Sequence, residues 1–132
     1  LKTFTEQDAE DYCQLNSINP ENITVLNLSG NELTDISSVK IFKNVEILWL
    51  YNNKITDISV LKNLKSLSIA NNNLTDISVI KYLNNLEYLN IDSLELDSDQ
   101  IKSLKNLKEL WCHKGFKDMS LLNQLNKNIN YN

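Results

Sequence analysis

Cys112 and His113 are adjacent in the sequence, and their side chains could act as a nucleophile and its base. That chemistry needs the thiol and the imidazole within hydrogen-bond reach of each other. The alternation of apolar residues around Leu110 predicts a strand here, and neighbouring residues of a strand point to opposite faces. We therefore expect Cys112 to be a small core residue and His113, the only histidine, to be a surface residue.

Three acids recur within the same four residues, Thr-Asp-Ile-Ser, at Asp35, Asp57 and Asp76. A column of carboxylates could be imagined as a cation site. The ligand spacing of a calcium loop is absent, however. Because Asp and Ser are favoured where a turn leads into a helix, we interpret these acids as turn residues that cap short helices.

Length and composition exclude several function classes. A chain of 132 residues suits a single domain, and a net charge of -4 without any arginine argues against a nucleic-acid partner. We recognise no phosphate-binding glycine loop, no cluster of metal ligands and no catalytic triad in the sequence. The sequence therefore predicts a protein that is not an enzyme and that needs no cofactor or metal.

The elements that position these residues follow an internal repeat. In this repeat, two leucine-type residues separated by one other residue are followed by an asparagine. The alternation has the period of a strand whose leucines face inward, and a single unit cannot bury them alone. The asparagines fall where the chain leaves each strand, and an amide can both donate to and accept from the backbone there. We expect a structural role for Asn31, Asn53 and Asn72.

The pattern divides the chain into an N-terminal cap, five repeats and a tail. The second repeat is three residues shorter than the first, because it lacks the counterpart of Lys40-Ile41-Phe42. The fourth carries Leu94 in place of the asparagine. The polar tail either pairs loosely as a closing cap or is disordered. The predicted ranges are 1–22 for the cap, 23–44, 45–63, 64–85, 86–106 and 107–125 for the repeats, and 126–132 for the tail.

The cap is predicted to be a helix from about Glu6 to Leu15, because Thr5 and Asp8 are spaced like a capping box. A stack of repeats exposes an apolar end, which such a helix would cover. The two cysteines, Cys13 and Cys112, fall about four strand steps apart, or roughly 20 Å. A disulfide needs Cα atoms within about 7 Å, so we expect two free thiols.

The motif Leu-x-x-Leu-x-Leu-x-x-Asn-x-Leu, at near-22-residue spacing from residue 23 to about 125, resembles that of leucine-rich repeat proteins. The Thr-Asp-Ile-Ser endings at Thr34, Thr56 and Thr75 are similar to the short class found in bacterial internalins and in eukaryotic phosphatase-regulating repeat proteins. The resemblance implies an α/β solenoid. Its curved parallel sheet would form the concave side, with short helices and turns on the convex side.

The outward positions of the predicted strands are the candidate binding site. A solvated sheet face has no need of several aromatics, and exposed apolar patches mark binding sites. The predicted site residues are Ile47, Trp49, Tyr51, Tyr88, Asp92, Trp111 and His113. The small residues Ser66, Ser68 and Ala70 should leave a shallow notch, flanked by the acids Glu46, Glu87, Asp92 and Glu109. Alternatively, some aromatics only cover core edges, or Trp111 packs under the tail.

The sequence thus predicts a monomeric module that binds a protein partner, without nucleic acid and without a membrane span. The resemblance to internalins, with a coding bias towards asparagine, lysine and isoleucine, favours a bacterial protein that acts on a host or competitor protein. Two alternatives stay open: an intracellular subunit that regulates an enzyme, and a structural fragment of a longer repeat protein. Localisation is open between secreted or surface and cytoplasmic, since the sequence given shows no signal peptide.

Overall fold

The computed structural model describes residues 3–91, 102–112 and 128–131, with backbone alone for residue 112 and for 128–131. Its strands form one open parallel sheet, in which strands that follow each other in the chain are also neighbours in the sheet. This order is that of a solenoid, as the sequence predicts. The strands are β1 (Val25–Asn27), β2 (Ile47–Trp49), β3 (Ser66–Ser68), β4 (Tyr88–Ile91), β5 (Glu109–Cys112) and β6 (Asn128–Tyr131).

Columns of inward-facing apolar residues build the core. One column is formed by residues paired in register across β2 to β5, each at most 1% exposed: Leu48, Leu67, Leu89 and Leu110. A second column lies two residues further along, at Leu50, Ile69 and Ile91. Each inward side chain is flanked by its counterparts on the adjacent strands, so the core is continuous from repeat to repeat.

The segments that return from one strand to the next close the core on the convex side. The first and third repeats return through 3-10 helices, Ser37–Ile41 and Ser78–Tyr82. The second repeat, which is shorter, has only a turn at residues 59–60. Within the described ranges, no helix has the length and apolar character needed to cross a membrane.

The three recurring acids begin these return segments. In each of the first three repeats an aspartate Oδ1 accepts a hydrogen bond from the backbone N–H of the serine two residues on, at 2.7 Å for Asp35 and 2.8 Å for Asp57 and Asp76. This confirms that the acids are turn residues. The prediction that each caps a short helix is wrong for Asp57, which is followed by a turn only, and the N-cap positions of the two 3-10 helices are Ile36 and Ile77. The backbone hydrogen bond from Ser59 lowers the pKa of Asp57, and that from Ser78 lowers the pKa of Asp76.

The buried asparagine Asn53 joins the second repeat to the first at the turn after β2. Asn53 is 7% exposed, and its Oδ1 accepts hydrogen bonds from the backbone N–H of Asn31 and of Leu33, both at 3.0 Å. Its Nδ2 donates to the carbonyls of Leu28 at 2.9 Å and Leu50 at 3.0 Å. Three of these four partners belong to the preceding repeat, so one side chain links the two turns.

The residue before each of these asparagines has a left-handed backbone. The φ angles are +71° at Gly30, +60° at Asn52 and +56° at Asn71. Glycine and asparagine are the residues that adopt this region at least cost. The turn geometry therefore explains why glycine or asparagine precedes the asparagine at this point of the first three repeats.

The N-terminal cap is helix α1 (Glu6–Leu15), with the predicted bounds and the predicted capping box. The backbone N–H of Asp8 donates to Thr5 Oγ1 at 3.1 Å, and that of Thr5 donates to Asp8 Oδ2 at 3.0 Å. The helix packs against the 3-10 helix Ser37–Ile41 of the first repeat. Its Cys13 is buried and is a free thiol, as predicted, whereas the side chain of Cys112 lies outside the described part.

The polar tail contributes a sixth strand. The backbone of β6 pairs in parallel with β5, in the same register that the other strands keep, from Glu109↔Asn128 to Cys112↔Tyr131. Of the two alternatives that the sequence left open for residues 126–132, the structure shows pairing for 128–131. The predicted boundaries of the individual repeats stay a prediction.

The Asn53→Ala variant should be less stable than the native chain by about 1–3 kcal/mol, because two N–H groups and two carbonyls lose a buried partner. Urea unfolding followed by circular dichroism measures this difference. Asn73→Ala, at an exposed asparagine in the following turn, is the control and should change stability by less than about 0.5 kcal/mol. An equal midpoint for native and Asn53→Ala chains would contradict a linking role for this side chain.

Acidification should weaken the fold through Asp57 and Asp76. Both pKa values are lowered from 3.8 in the folded chain, so their contribution to stability is present well above pH 3.8. It is lost as pH falls from 3.8 through the lowered values. In the double variant Asp57→Asn, Asp76→Asn, which keeps an amide oxygen to accept each hydrogen bond, urea midpoints should fall less steeply over this pH range.

The control for that variant is Glu10→Gln with Asp11→Asn, which removes two negative charges from α1 instead. Its urea midpoint should follow the pH dependence of the native chain. If the two double variants had the same pH dependence, the effect would come from net charge and not from the turn hydrogen bonds.

Candidate protein-binding face

The outward side chains of the strands form one continuous face on the concave side of the sheet. Large side chains on it are exposed to solvent: Trp49 (39%), Tyr51 (40%), Tyr88 (44%) and Trp111 (39%). They are held there by the inward residues between them. Leu48 and Leu50, for example, are fully buried on either side of Trp49, and alternation leaves the intervening residue outside.

The strand register places the two tryptophans in one row across the sheet. Trp49 pairs with Ser68, Ser68 with Asn90, and Asn90 with Trp111. Three strand steps of about 4.8 Å separate the tryptophans by roughly 14 Å. The neighbouring row runs from Ile47 through Ser66 to Tyr88. We define the concave aromatic face as Ile47, Trp49, Tyr51, Tyr88 and Trp111.

The small residues of β3 lie between these aromatics. Ser66 separates Ile47 from Tyr88, and Ser68 separates Trp49 from Asn90. Both serines are partly exposed. The register thus places small hydroxyl side chains between larger ones, while the predicted notch itself stays a prediction.

Two of the seven predicted site residues, Asp92 and His113, lie outside the described residues. The other five are on this face, although Ile47 is only partly exposed. The alternative in which Trp111 packs under the tail predicts a covered ring. Strand β6 lies beside β5 in the sheet, and Trp111 is as exposed as Trp49.

A hydrogen bond fixes one of the tryptophans. Trp111 Nε1 donates to Glu109 Oε1 at 2.6 Å, between two residues on the same face of β5. The ring keeps its apolar surface exposed while its only polar group has a partner. A partner protein that covers Trp111 would thus meet an indole N–H that already has an acceptor.

A ladder of alternating charges borders the face at the amino ends of the strands. We define the charge ladder as Glu46, Lys65, Glu87 and Lys108, each immediately before or at the start of a repeat's strand. Lys65 Nζ lies 3.7 Å from Glu46 Oε1, and Lys108 Nζ lies 2.8 Å from Glu87 Oε1. Glu46 and Glu87 were predicted as part of an acidic flank, but these two lysines neutralise them.

The contact between Glu87 and Lys108 shifts the pKa values of both side chains. The hydrogen bond from Lys108 and then its positive charge lower the pKa of Glu87, and the same hydrogen bond raises the pKa of Lys108. The sequence reasoning missed both lysines. Aligning the residue before each strand would have shown the alternation Glu, Lys, Glu, Lys.

Comparison with known proteins finds leucine-rich repeats in the sequence and internalins among the similar structures. The family profile described as leucine-rich repeats in two copies matches residues 21–63, and that of the single leucine-rich repeat matches residues 63–83. Internalin C2 of Listeria monocytogenes aligns with a TM-score of 0.72 and 29% identity, over 85% of this chain and 53% of its own. Internalin F of the same bacterium aligns with a TM-score of 0.69 and 27% identity, over 85% and 37%.

The chain therefore spans about half the length of internalin C2 and just over a third of internalin F. No curated protein sequence matches it significantly.

The Lys108→Met variant should raise the pKa of Glu87 back towards its ordinary value, because it removes both the hydrogen bond and the charge that lower it. Titration of the glutamate carboxyl carbons by NMR measures the shift. Lys105→Met, which removes an exposed lysine outside the ladder, should leave the Glu87 pKa in place. A Glu87 pKa that stays low in Lys108→Met would mean that the pair does not persist in solution.

Proposed function

We propose that this chain, a leucine-rich repeat protein that resembles bacterial internalins, binds a protein partner through its concave aromatic face. The repeats and the internalin-like neighbours support a protein-interaction module. The observation that carries the choice of face is the exposure of both tryptophans and two tyrosines on one side of the sheet. Tryptophan and tyrosine dominate the energy of protein interfaces.

The arrangement suits a projecting side chain of the partner. A residue that enters the notch over Ser66 and Ser68 would be flanked by Trp49 on one side and Tyr88 on the other. Burial of two such rings removes a large apolar area from water. The bordering charge ladder holds two glutamates and two lysines and so has no net charge, and the energy of binding comes from the aromatics more than from charge.

The proposed activity is binding without catalysis, by a monomer, and the proposed partner is a protein of a host or a competitor. The similarity to internalins of a bacterium favours this setting over the regulation of an intracellular enzyme. The same face would serve either role, since both need an exposed, rigid aromatic surface.

The double variant Trp49→Ala, Trp111→Ala should lose at least tenfold in affinity for the partner, because each ring is a candidate hot spot. The measurement is affinity capture from host and source-cell lysates, followed by titration of the retained protein. The matched control is Tyr12→Ala with Tyr82→Ala, which removes two aromatics that are 56% and 70% exposed elsewhere. Thermal unfolding must first show that both variants are folded.

One protein retained by the native chain and the control, and lost with the tryptophan variant, would support the proposal. Equal capture by the native chain and the tryptophan variant would show that the concave aromatic face does not bind.

A further inference from the structure

The short second repeat leaves a groove on the convex side of the solenoid. The first repeat returns through the 3-10 helix Ser37–Ile41, whereas the second lacks three of the corresponding residues and makes only a turn at 59–60. The difference in length leaves an open volume of about 420 Å³ between the two return segments. This is within the range of about 300–1,000 Å³ that is usual for ligand pockets.

The floor of this convex groove is apolar and comes from both repeats: Val39, Phe42, Val45, Val60, Leu61 and Leu64. Five of the six are buried core residues, and Val60 is partly exposed. The floor is therefore rigid, because these side chains are fixed by the core beneath them.

The rim carries three positive charges, from Lys40 and Lys43 of the first repeat and Lys62 of the second. Among the residues that the structure describes, no acidic residue lines the groove, although Glu6 and Glu21 lie beside two of its lysines. Three lysines and these two glutamates leave one net positive charge at the groove, on a chain whose net charge is -4.

The lysines are available to a ligand. Lys40 Nζ lies 3.6 Å from Glu6 and Lys43 Nζ lies 4.0 Å from Glu21, and both lysine side chains are more than half exposed. Exposed ion pairs of this kind contribute little and exchange readily. For Lys62, the described residues provide no carboxylate within 4.0 Å.

We propose that the convex groove binds an acidic peptide segment, with one large apolar side chain on its floor and carboxylates facing the lysines. Charge complementarity selects an anionic occupant. Because the lysines come from both sides of the groove, several carboxylates along a chain match them better than the single head group of an amphiphile. This site is separate from the concave aromatic face and does not depend on what that face binds.

The test is a fluorescence anisotropy titration of the full chain with the labelled peptide Asp-Glu-Leu-Phe-Glu-Asp. Binding should weaken as salt rises, since exposed charges are screened. Lys43→Glu with Lys62→Glu should weaken binding at least tenfold. Lys54→Glu with Lys105→Glu, which makes the same change of net charge at exposed lysines outside the groove, should change it less than twofold.

Two further arms separate this site from other occupants and from the concave face. The Trp49→Ala, Trp111→Ala variant should bind the peptide as the native chain does; a loss there would place the peptide on the concave face and overturn the proposal. The same peptide with lysines in place of its acids should not bind.

Three other outcomes would also overturn it. These are no binding of the acidic peptide up to millimolar concentration, equal loss in both lysine variants, and lysine-dependent binding of decanoate or of phosphatidylglycerol vesicles without binding of the peptide.

Discussion

The inward leucines of each repeat are buried only with the help of the neighbouring repeats and of the return segments, and the rest of this structure depends on that constraint. A strand of three or four residues, with an inward leucine at its centre, cannot bury that side chain by folding on itself. Stacking solves this, and it also fixes the register, since a shift by one residue would turn every leucine to solvent. Asn53 and Asn72 then pair backbone groups of the preceding turn that stacking would otherwise leave without partners.

The same constraint leaves two surfaces free to differ between repeats. Inward positions must be apolar, but the outward residues of the strands face solvent and can be serine, asparagine or tryptophan without loss of the core. The return segments need only reach the next strand, so their lengths can differ as well. The variable outward residues of the strands form the concave aromatic face, and the variable lengths of the return segments produce the convex groove. The two surfaces lie on opposite sides of one core.

Much of the fold could be predicted from the sequence because its rules are local or periodic. The helix Glu6–Leu15 follows from a capping box within four residues, and the core columns follow from the spacing of the leucines. The pairing of β6 was only one of two alternatives, because the tail resembles no repeat, and its parallel register with β5 comes from the structure alone. The ion pair of Glu87 and Lys108 was missed for a related reason, since its partners meet only across the sheet.

The two candidate sites differ in how much of each could be predicted from the sequence. The residues of the concave aromatic face follow from alternation, and the strand register then shows that Ser66 and Ser68 separate the rings. The convex groove depends on a missing segment, and its depth is set by how the second repeat closes without that segment. The shorter second repeat predicts that its return segment lacks three residues. Only the packing of Val60 and Leu61 shows that the gap beside this segment stays open and is lined by lysines. A repeat protein can thus gain a second surface by losing residues, because the neighbouring repeats hold the core in place while the shortened one exposes its edge.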